Sequence, residues 1–552
     1  MKFEQLSALI FPKLRRPEPV NRKPRQAPTV STETTSPGSQ TPPASTPDAV
    51  STPPASVLYD PQFPQTMERM QGLLQFVGSH PAQLLTHATL ETELTVLGRD
   101  LLRVAMEEHF LLRALTEEPL PAVVDAQGIA HTTKEPRQTR PLVTRFGPIG
   151  VMRLAYRHKG TKNLYPADAV ANLPSEKYSH GLREIAAKAA VQGSFDTTVQ
   201  AIWDQTGQQV GKRQVEPLVR RAAQDVDRFY PDATRPKVTT DQALILSVDG
   251  KGIVMRTQDL RPSTAAKQAK ADHKLQSRLS PGEKSHRKRM AEVGAVYGID
   301  PVVRIPSDIL HAKPVDPTWT KKSGPKAVNK WLVASVADSM GDVIYQVLEE
   351  AERRDPQHEH PWVALVDGNH SQLTYLQEEA SARGIDLQVF LDFIHVLEYL
   401  WKAAWCFFPT GDPEAETWVL EHGLEVLQGK ASQVAEAIDR QATAKELTPS
   451  QRKAVDQCAH YFLVNRQYLQ YPQALEKGWP IATGIIEGAC RHLIKDRFDI
   501  TGARWGLDGA EALLKLRSVW SNGDWDAYWT YPLEQEQRRV HFSQYAAEVS
   551  AA

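Results

Sequence analysis

Residues 243–256, ALILSVDGKGIVMR, and residues 362–370, WVALVDGNH, follow one pattern: a short apolar run that ends on an aspartate followed by glycine. An unbroken apolar run of about four to eight residues closed by a turn signal reads as a strand covered on both faces. The two runs therefore deliver Asp249 and Asp367 to strand ends. Asp-Gly is also a common turn dipeptide, so either aspartate alone fits an ordinary turn equally well.

Working outward, 292–299 (EVGAVYGI) and 331–337 (WLVASVA) read as further strands, 341–354 as a helix, and 387–391 (LQVFL) as a strand following Asp367. Strands first, then strands alternating with helices, is the order of a mixed sheet with helices on its faces. An α/β core is predicted over 240–410, a helical insertion over 411–480, and the return of the core over 481–530, with a tail over 531–552.

A third acid follows the insertion. In GIIEGACRHLIKDRF, residues 484–498, Ile485, Ala489 and Leu493 form an apolar stripe at helical spacing, while Glu487, Arg491 and Lys495 stack on another. The same pattern also describes a surface helix. Asp392 and His395 open another helical stretch as an Asp-x-x-His pair, in which Asp392 serves either as a plain N-cap or as an auxiliary residue near a site. Three acids drawn together repel unless divalent cations neutralise them, and hard oxygen ligands select Mg²⁺ or Mn²⁺. Two such ions suit phosphoryl transfer by water or a 3′-hydroxyl. No local signature of a nucleophilic serine or tyrosine competes with this.

Ahead of the core, 1–58 is a basic, then Pro-, Ser- and Thr-rich tail expected to be disordered. Residues 59–135 are helical, with Leu90, Leu94, Leu97, Leu101 and Val104 on one face, which predicts a helical hairpin that packs or dimerises. A small β-hairpin unit is expected over 136–178, its turn at Phe146-Gly147-Pro148. Residues 179–235 hold three short helical patterns separated at Gly193 and Gly207, as in a helix-turn-helix domain. In that reading Lys212, Arg213, Arg220 and Arg221 face DNA; an ordinary bundle with a solvated basic face has the same pattern.

The segments SVDGKG, LVDGNH, LDFIHVLEYLW, TGIIEGACRHLIKDRF, TGARW and LRSVWSNGDWDAYW, in this order, resemble bacterial insertion-sequence transposases of the ISKra type, relatives of the Mutator-like group. The resemblance runs from about Gly98 to Trp529 and is strongest after Asp249. It implies a ribonuclease H-like mixed sheet whose first and fourth strands lie side by side, with Asp249, Asp367 and Glu487 as a DDE metal-binding triad and Asp392 and His395 auxiliary. The chain departs from the family in two places: Arg157-His158-Lys159-Gly160 stands where relatives carry a cysteine knuckle, which argues against a structural zinc, and Ala482-Thr483-Gly484 replaces Gly-Ser-Gly.

The chain has 552 residues and a formal net charge of −1, so it is multidomain and any DNA-binding surface is a regional patch. Near the chemistry, Arg491, Lys495, Arg497, Arg504 and Trp505 are the expected DNA contacts, although core packing is the competing reading for Trp505. The cationic stretch Lys251–Arg289 reads as a mobile loop. Cys406, Cys458 and Cys490 are too scattered for a disulfide framework or a metal knuckle, which suits a reducing cytoplasm, and no apolar run is long enough to span a membrane. The expectation is thus a cytoplasmic DNA transposase, at least dimeric on double-stranded DNA, that binds terminal inverted repeats and joins 3′ ends to target DNA. A ribonuclease H-like nuclease without strand transfer and a domesticated DNA-binding protein are the alternatives.

Overall fold

The computed structural model describes residues 62–239, 241–270, 287–311 and 322–546. The expected tail over 1–58, the end of the tail over 531–552 and much of the expected cationic loop lie outside them. Helices Pro64–Val77 and His87–Thr116 form the expected hairpin. It is locked by Glu108, a buried carboxylate that accepts from the backbone N–H groups of Gln65 and Thr66 at 2.8 and 2.9 Å, groups the first helix cannot satisfy itself. Strands β1 (Val123–Val124) and β2 (Ala130–His131) pair, and β3 (Thr133–Val143) pairs with β4 (Pro148–Arg157) across the anticipated turn. Gly147 provides that turn at φ +146°, a conformation other residues rarely adopt.

Helices His180–Gln192, Phe195–Thr206 and Lys212–Ala222 follow, the first two capped by Ser179 and Ser194. The third buries Val215, Leu218, Val219 and Ala222, and it packs on helix Leu507–Asn522. The fit there is close: a Cβ on Gly509 would lie 2.8 Å from Glu216 Oε1.

The core is a mixed α/β unit built on a five-stranded sheet of order β7-β6-β5-β8-β9. Strand β5 (Ala243–Val254) lies at its centre, and its first six residues are all buried, as a run covered on both faces requires. Antiparallel to it runs β6 (Lys288–Ile299), followed by β7 (Ala327–Ser335). On the other side β8 (Trp362–Val366) and then β9 (Leu387–Leu391) run parallel to β5. Helix Met340–Arg354 lies close against β6, where a Cβ on Gly294 would sit 2.4 Å from Val347. At the outer edge, Asn522 bonds both the N–H and the carbonyl of Leu332 at 2.8 and 3.0 Å, blocking strand addition there.

After β9 come helices Phe393–Phe407, Pro413–Leu427, Ala431–Ala444, Lys453–Val464 and Tyr471–Glu476, and only then the segment bearing Glu487. This helical excursion is fastened at its far end, where the N–H groups of Val302 and Arg304 donate to Gly478 and Leu475 at 3.0 Å. The described parts of Lys251–Arg289 are ordered elements rather than loop: the end of β5, helix Pro262–Ala269 and the start of β6. No helix among the described residues is long and apolar enough to cross a membrane.

Candidate active site

Parallel pairing of β5 and β8 sets Ser247 opposite Leu365. Two residues on come Asp249, which lies inside β5 rather than at the expected strand end, and Asp367, just past the end of β8. Asp249 Oδ2 accepts a hydrogen bond from the Cys490 thiol at 3.2 Å. Asp367 is left on the mouth of the sheet because Gly368 turns the chain at φ +90°; a Cβ there would also meet Leu391 Cδ1 at 3.1 Å. The Asp367 side chain stays 31% exposed, and His395 Nδ1 approaches it at 3.4 Å.

Asp392, at the end of β9, is fully buried and differently employed. One carboxylate oxygen accepts from the N–H groups of Ile394 and Thr483 at 3.1 and 3.2 Å. The other accepts from the Thr483 hydroxyl at 2.8 Å and pairs with His395 Nδ1 at 3.0 Å. Both oxygens are thus spent, whereas those of Asp367 remain open. Asp367, Asp392 and His395 have ligand atoms all within 4.8 Å of one another, and among the described residues they form the group able to hold a metal ion. Asp392 joins it only by surrendering bonds that hold the fold.

Thr483 is the N-cap of helix Gly484–Ala489, which carries Glu487. Its hydroxyl does not cap that helix but binds Asp392, so the acid on β9 fixes where the Glu487 helix begins. Immediately afterwards Cys490–Lys495 form a π-helical turn, a feature common at functional sites. Arg491, on that turn, is exposed and reaches Asp496 at 3.8 Å.

Electrostatics ties the acids together. Burial pushes the Asp367 carboxyl up to about 7; His395 opposes this while Asp249 and Asp392 add to it. Burial likewise pushes Glu487 up to about 7, with Asp392, Asp367 and Asp249 raising it further against His395. For His395, burial acts downward but is outweighed by the Asp392 hydrogen bond and the charges of Asp367 and Asp392, which hold it at about 9. Asp392 acts on Glu487 more strongly than Asp367 does, while Asp249 acts on Asp367 more strongly than Asp392 does.

One further acid belongs here. Glu292 faces Gly250 across the β5–β6 ladder, and a Cβ on that glycine would lie 2.9 Å from Glu292 Oε2. That oxygen is buried without a hydrogen-bond partner, and burial together with the charge of Asp249 raises the Glu292 carboxyl above the ordinary range.

The expected DNA contacts divide. Arg497 and Trp505 lie in the core, not on a DNA-facing surface: Arg497 donates to the Ala190 carbonyl at 3.0 Å and sits 4.9 Å from the Trp505 ring centre. Trp505 instead extends the sheet by bridging Met255. Lys495 and Arg504 are exposed. In the helical trio, Lys212 pairs with Asp196 at 2.5 Å, Arg220 with Asp508 at 2.6 Å and Arg221 with Glu176 at 2.7 Å, while Arg213 is exposed. The paired cations nevertheless keep about half of each side chain exposed, Lys212 58%, Arg220 49% and Arg221 43%. No protein-family model matches the chain, and no curated protein matches it.

Proposed function

We propose that this chain is a DDE-type DNA transposase of ribonuclease H-like fold, cleaving and joining DNA at a centre formed by Asp249, Asp367 and Glu487. The observation that carries the reading is the convergence of three mutually coupled carboxylates, one within the central strand β5, one just past the end of its parallel neighbour β8 and one on a helix. The sheet order, with β6 antiparallel between β5 and β7, supports the fold assignment.

The donor set fits Mg²⁺ or Mn²⁺: hard carboxylate oxygens, gathered so that burial and mutual repulsion resist their ionisation unless positive charge is supplied. Asp249, Asp367 and Glu487 would hold the ions, and the orphaned Glu292 oxygen adds a further donor beside Asp249. Bound there, the ions would activate an attacking oxygen and stabilise the leaving one on a phosphodiester. The remaining residues position the acids. The Cys490 thiol fixes one rotamer of Asp249, Asp392 fixes the start of the Glu487 helix, and His395 spans Asp392 and Asp367.

The test is incubation with end-labelled duplex carrying the element's terminal repeats, in Mg²⁺ or Mn²⁺, comparing the native chain with Asp249→Ala, Asp367→Ala and Glu487→Ala. Cleavage and joined products from the native chain alone are expected. Cleavage surviving in all three variants would remove the triad; hydrolysis without joined products would make the chain a nuclease, and binding without cleavage a DNA-binding protein.

A further inference from the structure

A cavity of about 510 Å³ opens beside Asp367, between helices His370–Ala382, Phe393–Phe407 and Lys453–Val464. Gly368 forms part of its wall, and so does Tyr461, whose hydroxyl donates to the Asp367 carbonyl at 3.4 Å. Catalytic core and helical excursion thus build it jointly, next to the acid cluster.

Its chemistry is the reverse of that cluster. Not one carboxylate lines it; instead Lys402, His370 and His460 supply cationic or ionisable groups, and Gln457, Gln467 and Asn465 supply amides. Tyr399 and Tyr461, stacked at 4.1 Å with rings 15° from parallel, make a rigid wall. The Lys402 side chain is 57% exposed and only loosely held by Glu398 at 3.6 Å, so its ammonium is free to exchange partners. A second cavity, of about 500 Å³, sets four acids, Asp227, Asp338, Asp342 and Glu349, against two cations, Arg353 and Lys515, a balance less favourable to phosphate.

Amides match the donor and acceptor edges of a base, cations match a phosphate, and aromatic walls match a flat ring. A duplex keeps its bases stacked inside, so a cleft of this kind takes an unpaired or extruded nucleotide. We propose that the cleft receives one unpaired nucleotide of the DNA strand held at the carboxylate centre, with Lys402 and His460 on its phosphate and the amides on its base. This rests on the reading of Asp249, Asp367 and Glu487 as a DNA-processing centre.

The full-length chain is tested in EDTA against two fluorescent probes, a blunt duplex and the same duplex with a short single-stranded overhang containing 4-thiothymidine. The native chain is expected to prefer the overhang. Lys402→Glu with His460→Ala should weaken overhang binding about tenfold or more with little change for the blunt probe. Irradiation of the native complex should crosslink the overhang to residues lining the cleft, which decides the matter even if the double variant folds poorly. Equal losses on both probes in a folded variant, or crosslinks mapping elsewhere, would overturn the proposal. Overhang binding through the cleft without Mg²⁺-dependent cleavage would overturn the transposase reading and leave the cleft standing; cleavage with crosslinks elsewhere would do the opposite.

Discussion

Around Arg183, every buried charge meets its opposite: its guanidinium grips Glu536 at 2.5 and 3.0 Å and Glu176 at 2.8 Å, and Arg221 completes the group. Around Asp367, Asp249, Glu292, Asp392 and Glu487 gather about His395, with Arg261 acting on Glu292 from further off, so acids outnumber the cations beside them. Both places are polar and inside the chain, yet the first neutralises itself and the second does not. Compensated charge holds helices together, whereas uncompensated like charge is maintained only where something from outside supplies the balance.

The largest effect expected from breaking this contrast is on the compensated side. Arg183→Ala leaves Glu536 buried without its guanidinium and Glu176 with Arg221 alone, and should cost about 3–5 kcal/mol of stability, read by urea unfolding, with no dependence on Mg²⁺. If Mg²⁺ rescued that variant, the two regions would not be separate in kind. On the uncompensated side, Thr483→Val removes one hydroxyl from Asp392 and should weaken metal affinity about 10–100-fold in a Mn²⁺ titration, with Thr483→Ser restoring it. A variant equal to the native chain in that titration would show that Asp392 does not set the position of Glu487.

The metal-free protein should also lose stability as pH rises. Asp367 and Glu487 sit at about 7, above the ordinary carboxylate range, so their contribution is full at acidic pH and is lost as pH climbs through 7. His395, at about 9, contributes below its ordinary value and loses that contribution as pH passes 9. Thermal midpoints in EDTA should therefore fall from pH 6 to pH 9 in these windows, and Mg²⁺ should raise the midpoint more at the alkaline end. A midpoint that Mg²⁺ raises equally at both ends would contradict the coupling of metal to these carboxyls. The smallest effect belongs to Arg220→Ala, which removes an exposed pair with Asp508 and should change stability by about 0–1 kcal/mol. A large loss of DNA affinity in that variant would favour the helix Lys212–Ala222 as a DNA reader.

The core strands were legible because a strand buried on both faces leaves a nearly continuous apolar run, as β5 up to Val248 and β8 do, while β9, with Gln388, is only partly buried. The end of β8 marked Asp367, whereas β5 runs on to Val254, so the glycine after Asp249 does not end that strand as its turn signal suggested. Glu292 was visible only as the start of a strand; its approach to Asp249 comes from the antiparallel register that sets it opposite Gly250, which no local pattern encodes. Spacing also failed at Arg497, whose burial depends on Phe195 far away in the chain, and left Trp505 open between DNA contact and core packing, which its burial and its bridge to Met255 decide. Arg220 and Arg221 read as a free basic face because their acidic partners, Asp508 and Glu176, belong to other helices.

Asp392 and Thr483 are 91 positions apart yet bonded to each other, and the Phe393 N–H donates to the Ile481 carbonyl beside them at 2.9 Å. The long helical excursion is therefore pinched shut at its base. Since the entropy of closing a loop grows only slowly with its length, helices within the excursion can be lengthened, shortened or exchanged at modest cost while Glu487 keeps its address. The clamp makes that stretch a replaceable cassette, open to changes of partner or substrate that leave the chemistry where it is.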